Sequence, residues 1–248
     1  MSFVHLHTHS HYSLLDGLSK PKDFVKKAKE YGMPAVGLTD HGTMYGVIDF
    51  YDTLKSEGIK PIIGVEVYMA IRSRHDKDAG VDSKRYHLTL LAENNTGYQN
   101  LIKLTTLAHL EGYYYKPRID KESLREHKDG LICLSGCPGG ELAQALAEND
   151  LDRGRKIVEE FLDIFGPEHY FLEVMNHPEV EKIQNVHKGL KILAKEYNLP
   201  FVATWDSHYP NKDDAEAHDT LVAINTGSEV GKSGMSMKAG DYSLISPK

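Results

Sequence analysis

Short β-branched or apolar runs alternate with amphipathic stretches along the chain, and most such pairs are punctuated by glycine or proline. The runs at 3–7, 35–39, 61–69, 87–92, 131–135, 169–175 and 200–205 read as strands. Between them, Ser19 and Pro21 start a helix whose Phe24, Val25, Ala28 and Tyr31 share a face, and Gly32 ends it. Gly58 stops a second helix carrying Val47, Ile48, Tyr51 and Leu54, and further helical patterns cover 98–110, 139–148, 151–165, 180–197 and 213–224. Strands each followed by a helix imply parallel pairing with right-handed crossovers. A chain of 248 residues suits a closed β/α barrel, with a doubly wound sheet as the alternative. Eight strands would be the usual barrel count, so seven imply either a missed strand near Tyr113–Ile119 or a distorted barrel. Arg72–Arg85 reads as a long loop, and the pattern gives one domain over 1–225 followed by an irregular segment over 226–248.

Composition removes several classes of function. With 40% hydrophobic and 26% charged residues, the chain can bury a core, and disorder is excluded as its dominant state. The absence of a basic, apolar N-terminal signal and of any run of eighteen apolar residues argues against secretion or membrane spanning, leaving a cytoplasmic protein as the expectation. A net charge of -7 argues against gripping nucleic acid by broad phosphate neutralisation. Cys133 and Cys137, four apart, match neither a zinc ribbon nor a redox pair.

Fourteen histidines are present, and His5, His7, His9 and His11 fall within seven residues. In a β/α barrel the chemistry lies at the C-terminal strand ends, and the metal-type residues cluster there. The first strand runs into His7-Thr8-His9, whose spacing puts both imidazoles on one side of an extended chain. The second ends in Asp40-His41, the fifth leads to Cys137, and the seventh to Asp206-Ser207-His208. Glu66 interrupts an apolar run, where a lone carboxylate costs several kcal/mol unless paired or metal-bound. His87 opens its strand instead of closing it and fits this geometry least. Singly, each has a bland reading: a hydrogen-bonded histidine, Cys137 as a small hydrophobe, Asp16-Gly17 as a turn. Converging on one barrel mouth they would form a metal cluster. The mixture of imidazole, carboxylate and thiolate suits Zn²⁺, Mn²⁺ or Fe²⁺, and the ligands outnumber those one tetrahedral ion can use.

The runs His5–Gly17, Gly37–Gly42, Pro61–Glu66 and Asp206–Tyr209 resemble the polymerase and histidinol phosphatase (PHP) domain. More closely they resemble the branch at the N-terminus of bacterial DNA polymerase III alpha subunits, and the similarity extends through Tyr114–Asp120, Leu134–Cys137 and Asp214–Asp219. The resemblance implies a distorted seven-stranded barrel and a trinuclear metal site. Its nine ligand positions fall on His7, His9, Asp16, His41, Glu66, His87, Cys137, Asp206 and His208, all of them ligand-type residues. It also implies 3′→5′ exonuclease proofreading at a DNA 3′ end, with the rest of the alpha subunit and the replisome as partners.

In such a site Asp206 and His208 stand at the catalytic centre, Asp40 orients from behind, and Lys116 and Arg118 are candidate phosphate contacts. Two rival expectations are phosphomonoester hydrolysis on a small substrate and a metal-braced scaffold without activity. If the resemblance holds, the polymerase carboxylates lie beyond this chain, which is expected to continue in frame after Lys248. Gly227–Ser233 is one residue short of a Walker A loop, and Asn94-Asn95-Thr96 carries no weight as a glycosylation acceptor without secretion.

Overall fold

The computed structural model describes residues 3–14, 16–232, 237 and 239–246. Leu15, Ser233 of the Walker-like run and the terminal Pro247-Lys248 lie outside them. The chain forms two compact units. One comprises Met1–Asp40, Tyr45–Ile63 and Thr204–Lys248; the other comprises His41–Met44 and Gly64–Ala203.

In the first unit, helix α1 (Pro21–Tyr31) begins on proline and closes at Gly32, whose φ of +65° is the left-handed turn that glycine adopts at least cost. Strand β1 (Ala35–Leu38) pairs in parallel with the first four residues of β2 (Lys60–Ala70), Leu38 opposite Ile63. Helix α2 (Val47–Ser56) buries Val47, Phe50 and Leu54, and Phe50 meets Phe24 of α1 edge-on at 5.5 Å. Ile48 and Tyr51, which this helix also carries, are exposed; the buried stripe is the one through Phe50.

The expected strand over 3–7 is extended but forms no ladder. Backbone bonds still tie it to β1 and the residue after it, Gly37 N to the His5 carbonyl at 2.6 Å and Thr39 N to the Thr8 carbonyl at 2.9 Å, and side chains add to them: Thr8 N donates to Thr39 Oγ1 at 3.0 Å and Thr8 Oγ1 to the Gly37 carbonyl at 2.6 Å. On the other side, Thr8 bridges to Ser207, with His9 N donating to the Ser207 carbonyl at 2.8 Å and Ser207 N to the His7 carbonyl at 3.2 Å. A 3₁₀ turn (Lys212–Asp214) leads into α8 (Ala215–Thr226). Beyond it, the described residues form no further helix or strand, but Ser243 bridges to Tyr209, and Tyr242 and Leu244 are buried.

His5 is fully buried in this unit, its Nε2 3.0 Å from the Ile245 carbonyl. Burial depresses its pKa to about 4, against the smaller upward pull of that carbonyl. Above pH 6.5 His5 is neutral folded or unfolded and costs nothing. Between pH 6.5 and 4 the unfolded chain binds a proton that the folded chain refuses, so stability falls on acidification, by about 3 kcal/mol at pH 4. His5→Gln is therefore expected to flatten the acid limb of a plot of urea midpoint against pH; an unchanged slope would contradict this assignment.

The second unit holds the rest of β2, then β3 (Arg85–Ala92), α3 (Asn95–Leu110), β4 (Arg118–Ile119), α4 (Lys121–Glu126) and β5 (Leu131–Leu134). These are followed by α5 (Glu141–Ala147), α6 (Leu151–Phe165), β6 (Tyr170–Val174), α7 (Ile183–Tyr197) and β7 (Phe201–Ala203). The strands run in the order β2-β3-β5-β6-β7, with β4 parallel to β2. All-parallel pairing fails at β3, which is antiparallel to both β2 and β5. The cause is local: residues 71–84 form no helix, so nothing carries the chain back across the sheet, and β3 returns alongside β2. Strand β4 occupies the place where a missed strand was expected. Helix α4 was not anticipated, although Asp120 and Ser123 form a reciprocal capping box at its start.

Candidate metal centre

The first unit gathers five of the nine expected ligands. Asp206 is nearly buried, with φ at +59°, a strained conformation that Asp tolerates better than most residues. Its Oδ1 lies 3.0 Å from His9 Nε2, 3.4 Å from His7 Nε2 and 3.6 Å from His208 Nδ1. Burial alone would raise this carboxyl's pKa, but the imidazoles of His7, His208 and His9 outweigh it and hold the group well below the usual carboxylate range. His208 Nδ1 donates to the Asp206 carbonyl at 2.9 Å, and its Nε2 faces Asp16 Oδ1 at 3.1 Å. The rings of His9 and His208 stack with centroids 4.3 Å apart.

Asp40 holds the segment that carries two of these residues. Its two oxygens accept from Ser10 N at 2.6 Å and Ser10 Oγ at 2.8 Å, pinning the backbone next to His9. His218, for which sequence reasoning found no role, lies with Nε2 2.7 Å from the Asp16 carbonyl and its ring 5.5 Å from that of His208. Burial lowers its pKa, and the proximity of His208 lowers it further.

The second unit gathers the other four. Glu66, 1% exposed, faces His41 Nδ1 with Oε2 at 2.6 Å, and His87 Nδ1 and Cys137 Sγ with Oε1 at 2.9 and 3.2 Å. His87 looked misplaced at the start of its strand, yet antiparallel pairing sets it opposite Tyr68, near the end of β2 that carries Glu66. Tyr68 stacks on His41 at 5.7 Å and meets His87 edge-on at 5.3 Å. Cys137 follows a turn at Gly136, φ +94°, where an added Cβ would lie 2.6 Å from the His87 carbonyl. Buried Glu173 holds that turn from behind, accepting from Gly136 N at 3.1 Å, while its own N–H donates to Ser135 Oγ. A single Glu inside strand β6 gave no sequence signal for this task. Cys133 is also fully buried, and burial raises its thiol pKa well above the ordinary value.

The donor chemistry fits divalent ions. In the second unit, one ligand atom each from His41, Glu66 and His87 lies within 4.8 Å of the others, and a thiol adjoins them. In the first unit, His9, Asp16 and His208 are gathered equally closely. Nitrogen, oxygen and sulfur donors at such spacing are what Zn²⁺ or Mn²⁺ coordinates.

The two candidate phosphate contacts part company. Lys116 lies with Nζ 5.8 Å from the Tyr68 ring centre. Arg118 is fully buried, and its guanidinium donates to the carbonyls of Gly112, Asp82, Arg74 and Asp76 at 2.8–3.2 Å. Its donors are directed at the chain itself, so the phosphate role expected for Arg118 is replaced by a structural one.

Comparison with known proteins follows the same lines. The family model of the PHP domain matches residues 5–177. The chain is 47% identical over 91% of its length to the DNA polymerase III subunit alpha of Thermus aquaticus, and 44% identical over 92% to that of Borreliella burgdorferi. It spans about a fifth of the length of these curated relatives. Among solved structures, an amidohydrolase from Chromobacterium violaceum with bound sulfate superposes with a TM-score of 0.54 at 17% identity, covering 85% of this chain and 89% of that one. A protein assigned as a metal-dependent phosphoesterase from Bifidobacterium adolescentis gives 0.53 at 13%, covering 84% and 89%. These likenesses establish the α/β fold class of the distorted TIM-like barrels. With the family model covering the span from His5 to His177 and about 45% identity to polymerase relatives, this chain belongs to the PHP domain family and is homologous to the PHP region of DNA polymerase III alpha subunits.

Proposed function

We propose that this chain is a metal-dependent phosphodiesterase that removes nucleotides from a DNA 3′ end, as the proofreading part of a DNA polymerase III alpha-type polypeptide working in the cytoplasm with its replisome. The observation that carries this reading is that every one of the nine ligand positions holds a ligand-type residue, each in close contact with others of the set. The proposed complement is three divalent ions, Zn²⁺ or Mn²⁺, with Fe²⁺ as an alternative. Such ions stabilise charge on phosphoryl oxygens and supply a nucleophile at neutral pH.

The chain's own groups position that chemistry. Asp206 keeps a negative charge among three imidazoles, and His208 presents Nε2 because Nδ1 is committed to a backbone carbonyl. Asp40 is a positioning residue that acts through Ser10 on the segment bearing His9 and His11.

The test combines elemental analysis with two substrates, labelled single-stranded DNA and a small phosphomonoester. Several equivalents of zinc or manganese are expected, with stepwise 3′→5′ degradation that stops on chelation and returns when metal is restored. Metal with ester turnover but no DNA cleavage would replace this reading by a small-molecule phosphatase. Metal with neither activity, and a Tm that drops on chelation, would make the domain a scaffold.

A further inference from the structure

The loop between α3 and β4 presents aromatic rings to solvent: Tyr113 is 53% and Tyr115 64% exposed. Tyr114 N bonds the Lys116 carbonyl at 3.1 Å and forces Tyr115 to φ +61°, a conformation that a bulky residue adopts only under constraint. The hairpin is not loose. Arg118 sits below it, with its guanidinium carbon 5.4 Å from the Tyr114 ring and Nε on the Gly112 carbonyl. His109 ties the loop's start to the Gly42 carbonyl at 3.2 Å, next to His41.

Two cations adjoin this loop. Lys116 and Arg85 both lie over the Tyr68 ring, at 5.8 and 5.3 Å, and that ring in turn stacks on His41. Among the described residues neither forms an ion pair; Arg85 donates from Nη1 to the Ser83 carbonyl at 3.0 Å, while its Nε is buried with no hydrogen-bond partner. Through Tyr68, both cations adjoin the His41–Glu66–His87 cluster of metal-type ligands. They are poised for an anion.

We propose that Tyr113 and Tyr115 are a base-stacking platform, and Arg85 and Lys116 its phosphate contacts, which together seat single-stranded DNA beside the His41–Glu66–His87 cluster; this rests on the phosphodiesterase reading above. Exposed aromatics interleaved with cations are how sequence-tolerant single-strand sites are built, because every base offers a π face.

Binding of a dye-labelled oligothymidylate to the 248-residue chain, followed by anisotropy across a salt series, tests the platform. Tyr115→Leu and Tyr113→Leu should each weaken binding about ten-fold, whereas Tyr115→Phe, which keeps the π face, should bind as wild type. Arg85→Gln and Lys116→Gln should each reduce the slope of log K against log salt by about 0.7. Leucine variants that bind normally overturn the platform, as does a wild-type chain that hydrolyses phosphate esters without binding the oligonucleotide. Binding that depends on Tyr115 in a chain hydrolysing no ester supports the platform and sinks the hydrolase reading instead.

Discussion

Asp206→Ala is expected to lower phosphoester turnover by at least about 100-fold and to strip metal from the purified protein. Three imidazoles share one oxygen of this carboxylate, and His7, His9 and His208 are each buried. Without it, a divalent ion in the first unit loses an anionic ligand and the group that aims its histidines. Backbone strain complicates the alanine, because at φ +59° it adds about 1 kcal/mol of its own. Asp206→Asn separates the two effects, since Asn accepts the left-handed conformation and keeps the shape while removing the charge. Both variants should be inactive, with Asn closer to wild type in thermal midpoint. Near-normal metal content and turnover in Asp206→Asn would mean the carboxylate is not part of the centre.

The second large effect belongs to a residue outside the chemistry. Arg118→Leu should lower the melting temperature by about 10 °C, corresponding to roughly 3–5 kcal/mol for breaking a buried charged network. Four carbonyls, from Arg74, Asp76, Asp82 and Gly112, lose their shared donor at once. Arg118→Lys should recover little, because a single ammonium cannot reproduce the planar fork that meets four acceptors. Calorimetry decides the matter. A phosphate contact would give an unchanged midpoint and a raised KM, the opposite pattern.

The contrast between these residues explains what was legible in the sequence. His7-Thr8-His9 and Asp206-Ser207-His208 announce themselves because ligand residues cost stability in apolar runs and recur at spacings that fix their side. Arg118 stood in an equally distinctive run, Tyr114–Asp120, yet its role was misread: a guanidinium serves a phosphate or a ring of carbonyls equally well, and only burial distinguishes them. Arg85 and Glu173 gave no signal, since each acts through tertiary neighbours far along the chain. The fold class followed from alternation, but the reversal at β3 did not, because sequence periodicity reports that a segment is a strand and not which way its neighbour runs. Spacing alone left His87 doubtful for the same reason, because only the direction of β3 sets it opposite Tyr68.

The bond between His9 and Asp206 spans 197 residues of sequence. At ribosomal speeds of about 5–20 residues per second, His7 and His9 emerge some 10–40 s before the carboxylate they share. By then Glu66, His87 and Cys137 of the second unit, which lie within 71 residues of one another, have all been synthesised. The first unit closes only when the chain returns at Ser207 to bridge Thr8. A nascent chain stalled short of residue 204 would therefore carry His7 and His9 without the carboxylate they face, so the first unit is completed only by the return of the segment from Thr204 onward.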